Sequence, residues 1–328
     1  MKLVSTRPFP PGIVECLYAQ APELHIVVAD SSDLKNLLAE LADADIVAGS
    51  FGGGSGSIFQ QVVRAAKKAR WIHTTSAGVD EILCPEVYER DFILTCGKGE
   101  SVAPLLAEHA MALLLALTRG LVRAARLDHW DRTAFSAHPQ ALTPTEIGGL
   151  TMGIVGLGGV GQALAARAAA FGMRVIGVKN RPGQPPEHVE AVWGPERLPR
   201  LLAEADVVVL ILPHTPETAG SFGEAQLRAM KPTAWLINVG RGQVVDGHAL
   251  ERALVEGWIA GAGLDVMPDE PWPAESPLWR MDNVLITPHI AGNSPQRAGR
   301  DMRIFCDNLG RFVRGEPLQS VVDLHQGY

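Results

Sequence analysis

Short apolar runs alternate with longer amphipathic segments along the chain, a rhythm that predicts parallel sheets covered by helices. In the first hundred residues the runs at 2–6, 24–29, 45–48, 71–74 and 92–95 predict strands, with helix-like segments between them. At 104–126 the pattern changes. Leu105, Leu106, Ala110, Leu113, Leu114 and Leu117 form a broad apolar stripe at helical spacing, which predicts one long helix bridging two domains. A second set of runs at 151–155, 174–178, 206–212, 234–239, 259–264 and 284–287 predicts a second, doubly wound sheet. A helix at 294–314 then returns the chain to the first domain. The expected fold class is α/β, with two Rossmann/flavodoxin-like parallel-sheet domains, one inserted into the other. Insertion of this kind makes two hinges and a cleft. Residues 128–144, with Trp130, Phe135, His138, Pro139 and Pro144, are too apolar for a free linker and are expected to pack, on another subunit if not on this one.

The second sheet opens on the segment around which the chain is organised. The apolar run 151–155 meets Gly156-Leu157-Gly158-Gly159-Val160-Gly161 and then an alanine-rich helix expected at 160–171, before the strand at 174–178. This βαβ frame is the setting in which a G-x-G-x-x-G turn binds a dinucleotide. Gly156 permits the tight turn, Gly158 lets backbone approach a pyrophosphate, and Gly161 lets the helix pack on its strand. The unpaired N–H groups at the helix start, including those of Gly159 and Val160, face the anion. Residues 101–292 are therefore expected to be the dinucleotide-binding domain, and 1–100 with 293–328 the substrate domain.

Composition narrows the function class. The chain has 328 residues, 47% of them hydrophobic, enough for two ordinary domains. Its net charge of −7, without a basic run, gives no nucleic-acid surface. The apolar stretch at 110–117 is far shorter than the ~20 residues of a membrane helix. Arg7 and the prolines Pro8, Pro10 and Pro11 interrupt any leader-like apolar region, so the cytoplasm is the expected location. Cys16, Cys84, Cys96 and Cys306 have neither metal nor redox spacing and are expected to be buried thiols. Residues 50–57, with their four glycines and three serines, read as a flexible loop at the cleft mouth, since no P-loop lysine follows.

Candidate chemistry gathers at the carboxyl ends of the expected strands, the edge at which open α/β sheets bind ligands. In the first domain Ser76-Ala77-Gly78-Val79-Asp80 is a glycine turn able to present backbone N–H groups to a small anion. In the second, Asn238-Val239-Gly240-Arg241-Gly242, Asp265-Val266 with Glu270-Pro271, and Thr287-Pro288-His289 stand at three successive strand ends. Together they offer an arginine for a carboxylate and a carbonyl oxygen, a histidine that exchanges protons near neutral pH, and a carboxylate to orient it. With a hydride-carrying cofactor, that set describes a 2-oxo acid reductase.

These motifs, with Leu212-Pro213-His214-Thr215-Pro216-Glu217-Thr218 and Pro277-Leu278-Trp279 leading to Asn283-Val284, closely resemble the D-isomer-specific 2-hydroxyacid dehydrogenase family over nearly the whole chain. That family includes glyoxylate/hydroxypyruvate reductases and phosphoglycerate dehydrogenases. The resemblance implies that Arg241 binds the substrate carboxylate and carbonyl oxygen, that His289 is the proton donor or acceptor, and that Glu270 holds His289. It implies further that backbone at Ala77, Gly78 and Val79 holds the carboxylate and that Pro213, Val239 and Asp265 line the nicotinamide side. A homodimer through the nucleotide domains is also implied.

Where NAD-preferring members close the second Rossmann strand with an acid that accepts from the ribose 2′-OH, this chain has Lys179-Asn180-Arg181. NADP(H) is therefore the expected cofactor, with NAD(H) possible, and a small 2-oxo or 2-hydroxy acid the expected substrate. Glu270 disfavours the formate dehydrogenase branch, in which glutamine replaces that carboxylate. The rival readings are a dinucleotide-sensing binding protein on the same fold and a phosphoglycerate dehydrogenase. The intact Arg241, Glu270 and His289 argue against a purely binding role.

Overall fold

The computed structural model describes residues 1–51, 57–131, 133, 135 and 144–328. The loop at 52–56 and the residues His138 and Pro139 lie outside the described set. The chain divides into two compact units, Met1–Val102 with Ser294–Tyr328, and Ala103–Asn293.

In the first unit β1 (Lys2–Ser5), α1 (Ile13–Gln20), β2 (His25–Val28), α2 (Leu34–Leu41), β3 (Ile46–Gly49), α3 (Ile58–Ala65), β4 (Trp71–Thr74), α4 (Pro85–Tyr88) and β5 (Ile93–Cys96) follow one another. The strands form a wholly parallel five-stranded sheet in the order β2-β1-β3-β4-β5. β3 and β4 are buried on both faces; β3 (Ile-Val-Ala-Gly) is accordingly apolar throughout, while β4 buries His73, whose ring is hydrogen-bonded to Thr95 and Asp301.

The second unit holds α5 (Ala103–Thr118), α6 (Leu121–Ala124), β6 (Thr151–Val155), α7 (Gly159–Ala170), β7 (Arg174–Val178), β8 (Ala191–Trp193), α8 (Leu198–Glu204), β9 (Val207–Leu210), α9 (Glu224–Ala229), β10 (Trp235–Asn238), α10 (Gly247–Val255), β11 (Gly261–Leu264) and β12 (Val284–Ile286). Its seven-stranded sheet runs β12-β11-β10-β9-β6-β7-β8, again all parallel. The strand order reverses beside β6, and that switch point places the glycine turn at the ligand-binding edge. The last helix, α11 (Arg297–Arg314), belongs to the first unit.

Four expectations change. The long helix at 104–126 ends at Thr118, because Gly120 takes a left-handed conformation (φ 69°) before a separate short turn of helix. β8 was not legible, being three half-buried residues at the edge of the sheet. In the 128–144 segment Trp130 is 89% exposed and makes no such packing on its own chain, whereas Phe135 is half-buried under the Arg123 guanidinium. Two of the four expected thiols are also not thiols. Cys16 on α1 and Cys306 on α11 form a disulfide with their Cα atoms 6.3 Å apart, leaving Cys84 and Cys96 free. A pairing across 290 residues leaves no trace in cysteine spacing. It is created by the packing of α1 on α11, where Leu17, Phe305 and Leu309 are fully buried in one cluster.

Cross-linking so long a loop restricts the unfolded chain by on the order of 5 kcal/mol in the chain-entropy description. Cys16→Ser is expected to lower the melting temperature by several degrees, and dithiothreitol to bring the parent down to the variant. Equal thermal unfolding of the oxidised parent and the variant in calorimetry would show that the bond adds nothing.

Candidate active site

The glycine turn after β6 is built by close approach. A Cβ on Gly156 (φ 102°) would stand 2.4 Å from the carbonyl oxygen of Ile211, and one on Gly161 would stand 2.8 Å from that of Gly156. Neither position has room for a side chain. At Gly158, by contrast, no atom lies within 4 Å of where a Cβ would be, so this backbone borders open space. Gly158 is also the N-cap of α7 and supplies no side chain to cap it, which leaves the first N–H groups of the helix, with Gly159 and half-buried Val160 in that turn, directed outward. The donors and the open backbone suit a pyrophosphate.

At the end of β7, Lys179 is half-buried and Asn180 and Arg181 are exposed. The backbone N–H of Lys179 donates to Trp193 on the neighbouring edge strand, 3.0 Å away, which fixes where its side chain departs. Pro213 is half-buried and its carbonyl accepts from the Thr218 hydroxyl at 2.7 Å, while Val239 is buried at the end of β10.

Beyond β10 the side chain of Asn238 staples the following turn. Its amide donates to the carbonyl of Arg241 at 3.2 Å, and its oxygen accepts from the N–H of Gly240 at 3.0 Å. Half-buried Arg241 is thereby held at the strand end, its guanidinium donating to Gly240 O at 3.1 Å. Gly242 packs so tightly on Met267 and Pro268 that a Cβ would stand 1.8 Å from the Met267 carbonyl oxygen. The arginine turn is thus seated on the loop that leads to Glu270.

That loop folds back on itself, Glu270 Oε1 accepting from the N–H of Met267 at 3.1 Å. The other oxygen, Oε2, lies 2.9 Å from His289 Nδ1. A carboxylate only accepts, so Nδ1 carries the hydrogen and Nε2 is the free ring nitrogen. The pair is open to solvent, His289 being 50% and Glu270 40% exposed by side chain.

Asp265, at the end of β11, is 2% exposed, and both its oxygens are occupied by donors of the chain. Oδ1 accepts from the Thr287 hydroxyl (2.6 Å) and the N–H of Ile290 (2.9 Å), and Oδ2 from the N–H of Ala291 (2.9 Å). Burial opposes its ionisation, yet hydrogen bonds from His109, Thr287, Ala291 and Ile290 outweigh that effect and hold the carboxyl below the usual carboxylate range. His109, on α5, was missed in the sequence, where a histidine on an apolar helix carries no distinguishing signal. In the first unit the N–H groups of Ala77, Gly78 and Val79 have no acceptor among the described residues, while Ser76 and Thr75 are held through their carbonyls by Gly97 N (2.8 Å) and Arg297 Nη2 (3.0 Å). Three consecutive unpaired donors suit a small anion.

Residues 111–291 match the family profile described as D-isomer specific 2-hydroxyacid dehydrogenase, NAD binding domain. A glyoxylate reductase of Korarchaeum cryptofilum is 40% identical over 265 residues, 80% of this chain and 79% of that one. Among solved structures, a D-isomer specific 2-hydroxyacid dehydrogenase of Xanthobacter autotrophicus in complex with NADPH is 30% identical with a TM-score of 0.79, covering 100% of this chain and 99% of the other. The NADPH-dependent glyoxylate/hydroxypyruvate reductase of Sinorhizobium meliloti, in complex with NADP and sulfate, is 28% identical with a TM-score of 0.78 over the same shares. The chain belongs to the D-isomer specific 2-hydroxyacid dehydrogenase family and is an NAD(P)-dependent oxidoreductase. Among the described residues no helix is long and apolar enough to cross a membrane, and no group of side chains is arranged to hold a metal ion.

The two kinds of glycine in the turn are expected to respond oppositely. Gly156→Ala forces a Cβ onto backbone in the left-handed region and should cost about 2 kcal/mol or more, lowering the melting temperature by about 2–4 °C for each kcal/mol. Gly158→Ala meets no neighbour, and its thermal unfolding should match the parent. A Gly156→Ala variant as stable as Gly158→Ala would contradict the close packing described.

Proposed function

We propose that the chain reduces a small 2-oxo acid, glyoxylate or hydroxypyruvate, to the corresponding 2-hydroxy acid, with NADP(H) favoured over NAD(H). The observation that carries this reading is the Glu270–His289 pair at 2.9 Å, whose Glu270 ends the loop against which the Arg241 turn is seated. The relatives described as glyoxylate reductases support the substrate class.

Gly156, Gly158, Gly159, Val160 and Gly161 would hold the dinucleotide's pyrophosphate, and Pro213, Val239 and the Asp265 strand end its nicotinamide side. When bound, the nicotinamide supplies the hydride that the substrate's C2 receives. His289 supplies the proton. Its Nδ1–H is held by Glu270, so Nε2 is the nitrogen that gives a proton to the carbonyl oxygen as that oxygen becomes a hydroxyl. The imidazole then regains the proton from solvent, to which the pair is open. Arg241 offers parallel N–H donors to the carboxylate and the carbonyl oxygen, a geometry a lysine lacks. Ala77, Gly78 and Val79 form the carboxylate cradle of the first unit.

Lys179, Asn180 and Arg181 account for the cofactor preference. No acid stands among them to accept from a 2′-OH or to repel a 2′-phosphate, and no side chain of the three has a hydrogen-bond or ion-pair partner among the described residues. Each charge-assisted contact to a phosphate contributes on the order of 1.5–3 kcal/mol. The exposed Leu121, Leu127 and Trp130, which follow α5 in the sequence, support a homodimer formed through the nucleotide-binding unit, which we place in the cytoplasm.

His289→Ala is expected to lower kcat by about 10²–10⁴-fold with NADPH binding unchanged. Near-normal turnover would remove the residue from the chemistry. In the parent, kcat/KM should favour NADPH over NADH by about tenfold or more, and Lys179→Asp combined with Arg181→Ala should abolish that preference. A parent that favours NADH, or a ratio untouched by the double change, would refute the assignment of these residues.

A further inference from the structure

His109 Nε2 lies 2.8 Å from Thr287 Oγ1 and 3.3 Å from Asp265 Oδ1. The Thr287 hydroxyl spends its hydrogen on Asp265 Oδ1 at 2.6 Å, so it turns a lone pair toward His109. A carboxylate oxygen likewise only accepts. Both neighbours therefore require a hydrogen on Nε2, and His109 is the donor to each.

The acceptors served by that donor hold the backbone around His289. Asp265 takes the N–H groups of Ile290 and Ala291, and its carbonyl, with that of Thr287, takes the N–H of His289 at 2.9 and 3.0 Å. His289 itself stands at φ 53°, in the left-handed region where a side chain costs roughly 1–2 kcal/mol. Such a conformation persists only where its surroundings over-determine it. The surroundings here are one buried carboxylate, one hydroxyl and the histidine that donates to both.

We propose that His109 is a positioning residue for the proton donor: through Thr287 and Asp265 it locks the 287–291 turn in the one conformation that sets the His289 ring against Glu270. Its hydrogen-bond and ion-pair partners among the described residues are Thr287 and Asp265. The assignment rests on the reading of His289 as the proton donor.

The test compares His109→Leu, which fills the space without a donor, with His109→Gln, whose side-chain N–H stands close to where Nε2 stood. In the NADPH-loaded enzyme with glyoxylate, His109→Leu is expected to lower kcat about tenfold or more, as small displacements of a catalytic group do, while KM for NADPH stays within about twofold. His109→Gln should recover kcat to within about threefold of the parent. Hydrogen exchange of the peptide spanning 287–291, measured without substrate, should quicken about tenfold in His109→Leu, not in His109→Gln, and not elsewhere on β11 or β12. Parental kcat and exchange in His109→Leu would overturn the proposal. So would a glutamine variant no better than leucine, or an exchange increase spread evenly over the unit in step with a fall in melting temperature. His289→Ala, assayed beside them, separates the two failures. If it stays active, the proton-donor reading is wrong. If it is inactive while His109→Leu is silent, only the positioning role is lost.

Discussion

The second unit depends on a buried carboxylate that cannot be left unpaired. Asp265 stands at the end of β11 with almost no contact with water, where an ionised side chain costs several kcal/mol unless donors surround it. The chain meets that demand with the hydroxyl of Thr287, the ring of His109 and two backbone N–H groups from residues 290 and 291. In collecting them the carboxylate ties together the end of β11, the end of β12 and the middle of α5. His289, in the turn so formed, takes a backbone conformation it would not choose alone. The ring is exposed, but the carboxylate at the centre of the frame that aims it is among the most buried polar groups in the unit.

A second constraint is steric. Gly240 and Gly242 flank Arg241, and each lies where a Cβ would run into backbone, of Leu212 in one case and Met267 in the other. The strand ends after β9, β10 and β11 are consequently drawn together. Arg241 and Glu270 come from segments nearly thirty residues apart and share a loop surface because two side chains are missing. The dinucleotide turn uses the same device for another end. Gly156 and Gly161 close the turn on its neighbours, and Gly158 leaves it open outward.

The first unit is stabilised differently. Its ends, α1 and α11, are joined by apolar packing around Phe305 and by the Cys16–Cys306 bond, so the returning chain is anchored covalently as well as by its core. Arg297, on the same returning helix, donates to the carbonyl of Thr75, just before the turn whose three N–H groups have no acceptor among the described residues. The C-terminal segment thereby helps shape the turn proposed to cradle the substrate carboxylate, which lies more than two hundred residues earlier in the sequence.

The periodicity of apolar residues was enough to show two parallel-sheet folds, because strands buried on both faces are mostly apolar, their few polar side chains, such as His73 and Asn238, being hydrogen-bonded. The βαβ frame around Gly156, Gly158 and Gly161 could be read for a related reason: the steric demands of that turn are local, and only glycine meets them. Arg241, Glu270 and His289 were legible as residue types at successive strand ends. Packing alone decided what joins them. His109 looks like any polar residue on an apolar helix until α5 is laid against β11 and β12, and nothing in the sequence shows that Asp265 gathers His109, Thr287 and the 290–291 backbone around its carboxylate. The end of α5 at Thr118, the three-residue β8 and the pairing of Cys16 with Cys306 likewise depend on a backbone turn, a sheet edge and a helix pair. The sequence by itself determined the elements and the chemistry they carry, since propensity and periodicity act over a few residues. Tertiary structure decided which donors reach which acceptors, since a hydrogen bond is set by distances of about 3 Å between groups that the chain separates by tens to hundreds of positions.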